Sequence, residues 1–395
     1  MRILNVIRSV NPVHGGPAEG LRQLVSAVGD LGHTVDVLTL DAPGDPWLAD
    51  FPARTHPLGP VRTNYGYCKS LVPWLKNNAK DFDAVIVHGL WQYHGFAVWR
   101  ALHGSELPYF IYFHGMLDPW FKRRYPLKHL KKWLYWPWAD YRVARDAKAV
   151  LFTASEEARL AAQSFWLYRV NASVVGFGVA LDGHALTGQA EHFHQAFPET
   201  RGKRIVLFLA RLHPKKGCDL LIEAFARFAS ADLSLHLVMA GPDQTGLTDG
   251  LQALAAKCGI AQRITWTGML QGNLKWGALR AAEVFSLPSH QENFGIAVAE
   301  ALAVGLPVLI SERVNIWREI VDDGAGFADA DTLAGTIATL DRWLGWASLD
   351  RALMGERARA CYQDRFCIDA AAKRVVGTIE PHVRPASRTS AAGRV

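Results

Sequence analysis

The chain has 395 residues, half of them hydrophobic and a fifth charged, with a formal net charge of +6. This length suggests two domains, and the composition supports large cores and excludes global disorder. The mild positive balance favours anionic partners such as nucleotides, phosphates or lipid headgroups without naming one.

In chain order, RILNVI reads as a short buried strand and RSVNPVHGG as a loop. PAEGLRQLVSAVGDL reads as a helix that Pro17 opens and Gly32 closes. Leu21, Leu24, Val25 and Val28 recur at helical spacing, and TVDVLTL is the next strand. DAVIVHG (83–89), PYFIYFHG (108–115) and KAVLFTAS (148–155) are further strands. At 204 the plan restarts: strand RIVLFLA, loop RLHPKKG, helix CDLLIEAFARFA, strand LSLHLVMAG. RITWTG, EVFSLPS and PVLIS follow between helical segments. Alternating strands and helices imply an α/β fold with parallel sheets covered on both faces.

The restart divides the chain. A first Rossmann-like domain is expected over 1–185, a polar linker over 186–203 and a second Rossmann-like domain over 204–365. A helix over 366–380 follows, for which a return to the first domain is one course, and a disordered tail over 381–395 ends the chain.

Five cysteines (Cys68, Cys218, Cys258, Cys361 and Cys367) contain no CxxC pair, which fits a reducing, cytoplasmic setting. The segment MRILNVIRSVNP has no apolar run of signal-peptide length, and no stretch of about 20 apolar residues is present. A cytoplasmic protein without a membrane span is therefore expected.

Ligands of open parallel sheets sit outside the carboxyl ends of the strands, so the loops there carry the chemistry. Gly15 and Gly16 precede a helix start and would let backbone N–H groups approach a phosphate, although a plain tight turn explains them equally well. Arg211 and Lys216 flank the loop after the first strand of the second half and suit a diphosphate, or form a solvated basic loop. Glu292 and Glu300 stand in SHQENFGIAVAEALAVGLPVLIS, which is otherwise almost wholly apolar. A helix that begins at Phe294 or Gly295 and ends before Gly305 and Pro307 would bury Glu300. A buried carboxylate needs polar partners, either ligand hydroxyls or an arginine in a structural pair. Glu292 would lie among the N–H groups of Asn293, Phe294, Gly295 and Ile296. Helical spacing would separate the two carboxylates by about 12 Å, wider than a glycosidase acid pair. They therefore read as grips on two ends of one extended ligand.

The run ENFGIAVAEALAVGLPV resembles the E-x7-E signature of glycosyltransferase family 4, and R-x4-K-G stands upstream of it at Arg211 to Gly217. The resemblance covers most of the chain, taking in the Gly-Gly loop, the MAGP turn at 239–242 and ITWTGML at 264–270. It implies the GT-B fold, two Rossmann-like domains facing each other across a deep cleft, the first on the acceptor side and the second binding a nucleotide sugar. It implies retaining transfer of a hexose from a nucleotide-diphosphate sugar. By position, Arg211 and Lys216 would hold the diphosphate with Gly16 approaching it. Glu300 would bind ribose hydroxyls and Glu292 the donor sugar. Asn293, Phe294, Gly295 and Ile296 would supply backbone donors. His114, in Phe-His-Gly at a strand end, matches a position near the reacting centre, or is a hydrogen-bonded structural histidine. The family's Asn-Gly-Val-Asp stretch is here Phe177-Gly178-Val179-Ala180. Asp329-Ala-Asp331 reads as a helix start with Asp331 as N-cap, so neither a metal nor a cofactor is expected.

Six of the fourteen tryptophans fall between Trp91 and Trp138. There, WFKRRYPLKHLKKWLYWPW (120–138) has no acid and six cations: Lys122, Arg123, Arg124, Lys128, Lys131 and Lys132. Leu127, Leu130 and Leu134 share one helical face. This fits a helix on an anionic membrane near a lipid-linked acceptor, or a core-packed helix with a solvated basic face. No nucleic-acid motif accompanies it. The expected protein is a peripheral-membrane glycosyltransferase of surface polysaccharide or glycolipid synthesis. Alternatives are a GT-B nucleotide-sugar epimerase or hydrolase, and a non-catalytic nucleotide-sugar-binding protein. An ordinary dehydrogenase is disfavoured because no GxGxxG follows the first strand.

Overall fold

The computed structural model describes residues 1–14, 16–181 and 188–383. Two parallel sheets form, each in its own unit. Unit 1 comprises Met1–Thr153, Ala158–Gly176 and the chain from Ala371, and unit 2 comprises Ala154–Glu157 and Phe177–Ala370.

In unit 1 the strands are β1 (Arg2–Val6), β2 (Thr34–Thr39), β3 (Arg54–Pro57), β4 (Ala84–His88), β5 (Tyr109–Tyr112), β6 (Val150–Phe152) and β7 (Ala172–Val174). All pairings are parallel, in the spatial order β3-β2-β1-β4-β5-β6-β7. The near-continuous apolar runs of β4 and β5 are buried throughout, as strands covered on both faces require. Helix α1 (Gly16–Asp30) follows β1 and buries Leu21, Leu24, Val25 and Val28. Two helices, α2 (Pro119–Arg124) and α3 (Pro126–Tyr135), follow β5. Just after α3, Trp136 is fully buried and donates its indole N–H to the Leu167 carbonyl at 2.7 Å.

In unit 2, β8 (Arg204–Leu209), β9 (Leu235–Ala240), β10 (Ile264–Gly268), β11 (Val284–Leu287), β12 (Val308–Ser311) and β13 (Gly326–Asp329) pair in parallel in the order β10-β9-β8-β11-β12-β13. Its helices include α4 (Gln189–Ala196), α5 (Cys218–Ala229), α6 (Gly272–Ala281) and α7 (Ile296–Ala303). The core closes around β8, β9, β11 and β12 with α5 and α7.

The structure corrects the expected divisions. Unit 1 gives way to unit 2 after Gly176, ahead of the boundary placed at 185. Of the expected linker, 186 and 187 lie outside the described residues, and the rest belongs to unit 2. There α4 lies tightly on α6: a Cβ on Gly277 would stand 2.4 Å from the Gln189 carbonyl oxygen, and Phe193 is fully buried. One phenylalanine on a small, flat partner replaces the long apolar stripe that periodicity looks for. Helix α8 (Ile368–Ile379) starts in unit 2 and belongs to unit 1 from Ala371, where Arg374 Nε donates to the Val175 carbonyl at 2.8 Å. The first residues of the expected tail form a 3-10 turn, Glu380–His382, with the His382 ring 5.7 Å from Phe110. The tail from 384 lies outside the described residues.

Each sheet reverses its order once, between β1 and β4 and between β8 and β11. Loops leaving neighbouring strands in opposite directions open a crevice there, which is where such sheets bind ligands.

Candidate functional site

At the order reversal of unit 2, the loop after β8 meets the loop after β11. Gly217 has a positive φ of 66°, and a Cβ on it would lie 2.2 Å from the Pro288 carbonyl oxygen, so only glycine permits the approach. The adjoining Lys216 is buried and places its ammonium against the Glu292 carboxylate. Burial first, then the charges of Lys215 and Arg211, pull the Lys216 pKa down to about 7, against a smaller opposing effect of Cys218. The loop around them is braced: His290 N donates to Lys215 O at 2.7 Å, Glu292 N to Arg313 O at 2.9 Å, and Asn315 N to Glu292 O at 3.0 Å.

Gly295, with φ 78°, caps α7, so the helix starts at Ile296, one or two residues later than expected. Phe294 turns into the core between Phe177 and Phe366, at ring distances of 5.4 and 5.7 Å. Its contribution to any ligand is therefore its backbone. The N–H groups of Phe294, Gly295 and Ile296 have no hydrogen-bond partner among the described residues. Asn293 Oδ1 accepts from Asn315 Nδ2 at 3.2 Å.

Glu300 is buried on α7, and Lys275 of α6 donates to it at 2.7 Å. The protein thus already supplies a cationic partner, a lysine rather than an arginine. Sequence reasoning missed Lys275 because it sits on a different helix inside no motif. Arg211 is exposed and donates to Gln244 Oε1 at 3.2 Å. The structure brings Lys216 and Glu292 together and leaves Arg211 at the rim.

At the order reversal of unit 1, a cavity of about 180 Å³ is lined by Arg8, Ser9, Ala18, His88, His114 and Met116, among others. Gly16 opens α1 beside it, and Gly15 lies outside the described residues. His114 stands two residues after β5 with φ 51°, in the left-handed region. Its Nε2 is 3.1 Å from His88 Nδ1, and His88 Nε2 is 2.9 Å from Asn5 Oδ1. The three form a directed chain. The Asn5 carbonyl oxygen can only accept, so His88 carries its proton on Nε2 and accepts at Nδ1. His114 then carries its proton on Nε2 and not on Nδ1. Asn5 and His88 were overlooked, although an asparagine inside the apolar run RILNVI was a visible signal.

Desolvation pushes His114 and His94 down to about 4, and His88 well below its ordinary value. Asp140, buried against the Trp91 N–H at 2.8 Å, is pushed up to about 7. The histidines bind fewer protons folded than unfolded between about pH 4 and 6.5, so they cost stability as pH falls through that window. Asp140 has the opposite sign below pH 7. Three groups outweigh one. Urea melts are expected to show unit 1 losing stability from pH 6.5 to 4, and a flat or rising profile would contradict this.

The basic aromatic segment departs from one of the two expected arrangements, the core-packed helix. No residue of α3 is buried. Leu127, Leu130 and Leu134 are 79%, 57% and 62% exposed, which excludes a leucine face packed in the core. Lys132, expected on the surface patch, is half-buried and turned inward, its Nζ 4.5 Å from the Trp91 ring centroid. Lys122, Arg123, Arg124, Lys128 and Lys131 are exposed.

Asp331 is not an N-cap. Thr332 caps the following helix by accepting from Gly335 N, and Asp331 instead pairs with His290 at 3.0 Å and Arg313 at 3.2 Å. Among the described residues, no three His, Cys, Asp or Glu side chains cluster as metal ligands.

Two family models match the chain: "Glycosyl transferase 4-like domain" over residues 15–178 and "Glycosyl transferases group 1" over 189–342. A D-inositol 3-phosphate glycosyltransferase of Thermomonospora curvata is 33% identical over 197 residues, covering 47% of this chain and 46% of that protein. The chain thus spans about half the length of the curated relatives it matches. Sucrose-phosphate synthase from Thermosynechococcus elongatus superimposes with a TM-score of 0.74 at 18% identity, covering 96% of this chain and 98% of that one. Anabaena Alr3699/HepE, in complex with UDP-glucose, gives 0.75 at 17% identity, covering 96% and 100%. At such identities the likeness shows the fold, which is GT-B.

Proposed function

Because the chain belongs to the group 1 glycosyltransferases of family 4, we propose that it is a retaining enzyme moving a hexose from a nucleotide-diphosphate sugar to a lipid-linked saccharide acceptor, in surface polysaccharide or glycolipid synthesis. The observation that carries this reading is Lys216 against Glu292 at the order reversal of the six-stranded sheet.

When the glycosidic bond breaks, negative charge grows on the departing diphosphate. A fixed ammonium in a water-poor loop stabilises that charge without reorganising. In this reading Lys216 turns from Glu292 to the diphosphate when the donor binds, before the bond breaks, Arg211 adds a second charge from the rim, and the N–H groups of residues 293–296 face the same anion. The freed Glu292 carboxylate takes donor-sugar hydroxyls, and Glu300, held by Lys275, takes the ribose. In unit 1, His114 holds a sugar hydroxyl. The protein's own cations neutralise the leaving group, so no metal is required. Exposed leucines beside five exposed cations support peripheral attachment to an anionic, cytoplasmic membrane face. No described helix is long and apolar enough to cross a membrane.

A thermal-shift panel of UDP, GDP and ADP and their sugars, with and without EDTA, tests this. A ligand at a hundred times its Kd stabilises by about 3 kcal/mol, a shift of several degrees. One base is expected to win, EDTA to change nothing, and Lys216→Ala to abolish the shift. No shift with any nucleotide would overturn the reading.

A further inference from the structure

A second cavity of about 180 Å³ lies in unit 1, beneath α3. Aromatic rings of Trp91, Phe121 and Phe165 wall it, and Lys128, His129 and Lys132 supply its polar groups together with Asp118 and Ser164. Asp118 Oδ1 accepts from Trp120 N at 2.8 Å as the cap of α2, and Ser164 donates to the Leu117 carbonyl. Lys132 lies 4.5 Å from the Trp91 ring centroid and 5.7 Å from Phe121, and His129 stacks on Phe165 at 4.9 Å. Among the described residues neither Lys128 nor Lys132 forms an ion pair with a carboxylate, and the buried indole N–H of Trp91 has no hydrogen-bond partner.

Charge and position together restrict the occupant. Lys128, Lys132 and the His129 and Trp91 N–H groups outnumber the one lining carboxylate, Asp118, which is already engaged as a cap. Asp140, pushed up to about 7 by burial, offsets Lys132 only in part, so the cavity favours an anion rich in acceptor oxygens. The aromatic walls favour an apolar portion on the same molecule. Helix α3 has two opposed faces: His129, Lys132 and, one residue beyond the helix, Trp136 turn inward, while Leu127, Leu130 and Leu134 project outward. Trp138 and Trp166, 70% and 68% exposed, extend the outer apolar surface. Met116 lines both this cavity and the one containing His114. The two cavities therefore adjoin at Met116.

We propose that the cavity beneath α3 receives the phosphate-bearing head of a membrane lipid that serves as acceptor, while the leucine stripe of the same helix lies in the bilayer. The proposal rests on the reading of the chain as a glycosyltransferase with a lipid-linked acceptor, and it names the anionic group and the side chains that select it: Lys128, His129 and Lys132.

The full chain is titrated with short-chain phosphatidic acid below its micelle concentration, with inorganic phosphate, and with phosphatidylcholine vesicles doped with phosphatidic acid. Saturable one-to-one binding of the short-chain lipid is expected, and inorganic phosphate should bind more weakly because it lacks the apolar portion. Lys128→Gln/Lys132→Met should weaken lipid binding about tenfold or more, the value of a charge-assisted contact. The charge-matched pair Lys122→Gln/Arg123→Gln should leave it within about twofold, because neither side chain lines the cavity. Exposed Lys128→Gln alone serves where Lys132→Met does not fold. Leu130→Gln should lose vesicle binding and keep the short-chain lipid. Equal losses from both charge pairs, equal affinity for inorganic phosphate, or a dimer that Leu130→Gln dissolves would each overturn the proposal. Lost lipid selectivity with donor stabilisation intact fails the cavity alone, whereas absent donor stabilisation fails the functional reading.

Discussion

Lys216→Met is expected to lower kcat with the nucleotide-sugar donor by about 10²–10³-fold, the usual cost of removing one fixed stabiliser of transition-state charge. Methionine keeps the length and apolar stem of the side chain and removes only the ammonium. The lysine is buried in a loop whose shape Gly217 and Pro288 fix, so its ammonium is held in place. Arg211 is nearby but exposed and already bonded to Gln244. Arg211→Met is therefore expected to raise KM more than it lowers kcat, since a rim charge contributes to donor capture before the bond breaks. The folding cost of Lys216→Met is moderated because the Glu292 side chain is 20% exposed and regains water when its partner goes. Circular dichroism and a melt exclude unfolding. A Lys216→Met enzyme within about threefold of the parent kcat would remove Lys216 from the chemistry.

Most of both sheets could be read from the chain because buried parallel strands are short apolar runs between helices, and β1, β2, β4 to β6 and β8 to β12 all have that form. The strands that escaped are β3, β7 and β13, and each lies at a sheet edge. Arg54–Pro57 is polar and only partly covered, and two of the three residues of Ala172–Val174 are exposed. An edge strand is defined by the neighbour it pairs with, and that neighbour is remote in sequence. The same distinction divides the site. Lys216, Glu292 and Glu300 stand in local spacings that suggest an anion and a polyol. Their real environment, Lys275 for Glu300 and Asn5 with His88 for His114, comes from other elements through the fold and has no spacing to reveal it. The inward turn of Lys132 was hidden for another reason. The leucine pattern identifies a helical face, but which face meets the protein depends on what the rest of unit 1 offers as a partner.

His114→Ala is expected to lower kcat/KM by about 10²-fold with little change in donor stabilisation, as removal of a positioned hydrogen-bonding group near the transferred sugar would do. The informative companion is Asn5→Leu, which touches no ligand. Removing the Asn5 oxygen leaves the His88 Nε2 proton buried without an acceptor, a cost that moving the proton to Nδ1 relieves. His88 then donates to His114 Nε2, and His114 must carry its own proton on Nδ1. One distant substitution thereby converts that atom of His114 from acceptor to donor while the ring stays in place. Nitrogen-15 correlation spectra separate the two forms. The parent protein should show neutral His114 protonated on Nε2, remaining neutral until the pH nears about 4. Asn5→Leu should show the other tautomer and an activity loss approaching that of His114→Ala, with kcat moving more than donor KM. A parent His114 protonated on Nδ1, or titrating at its ordinary value, would refute the chain of proton assignments. Full activity in Asn5→Leu despite the switched tautomer would show that His114 acts by its shape alone.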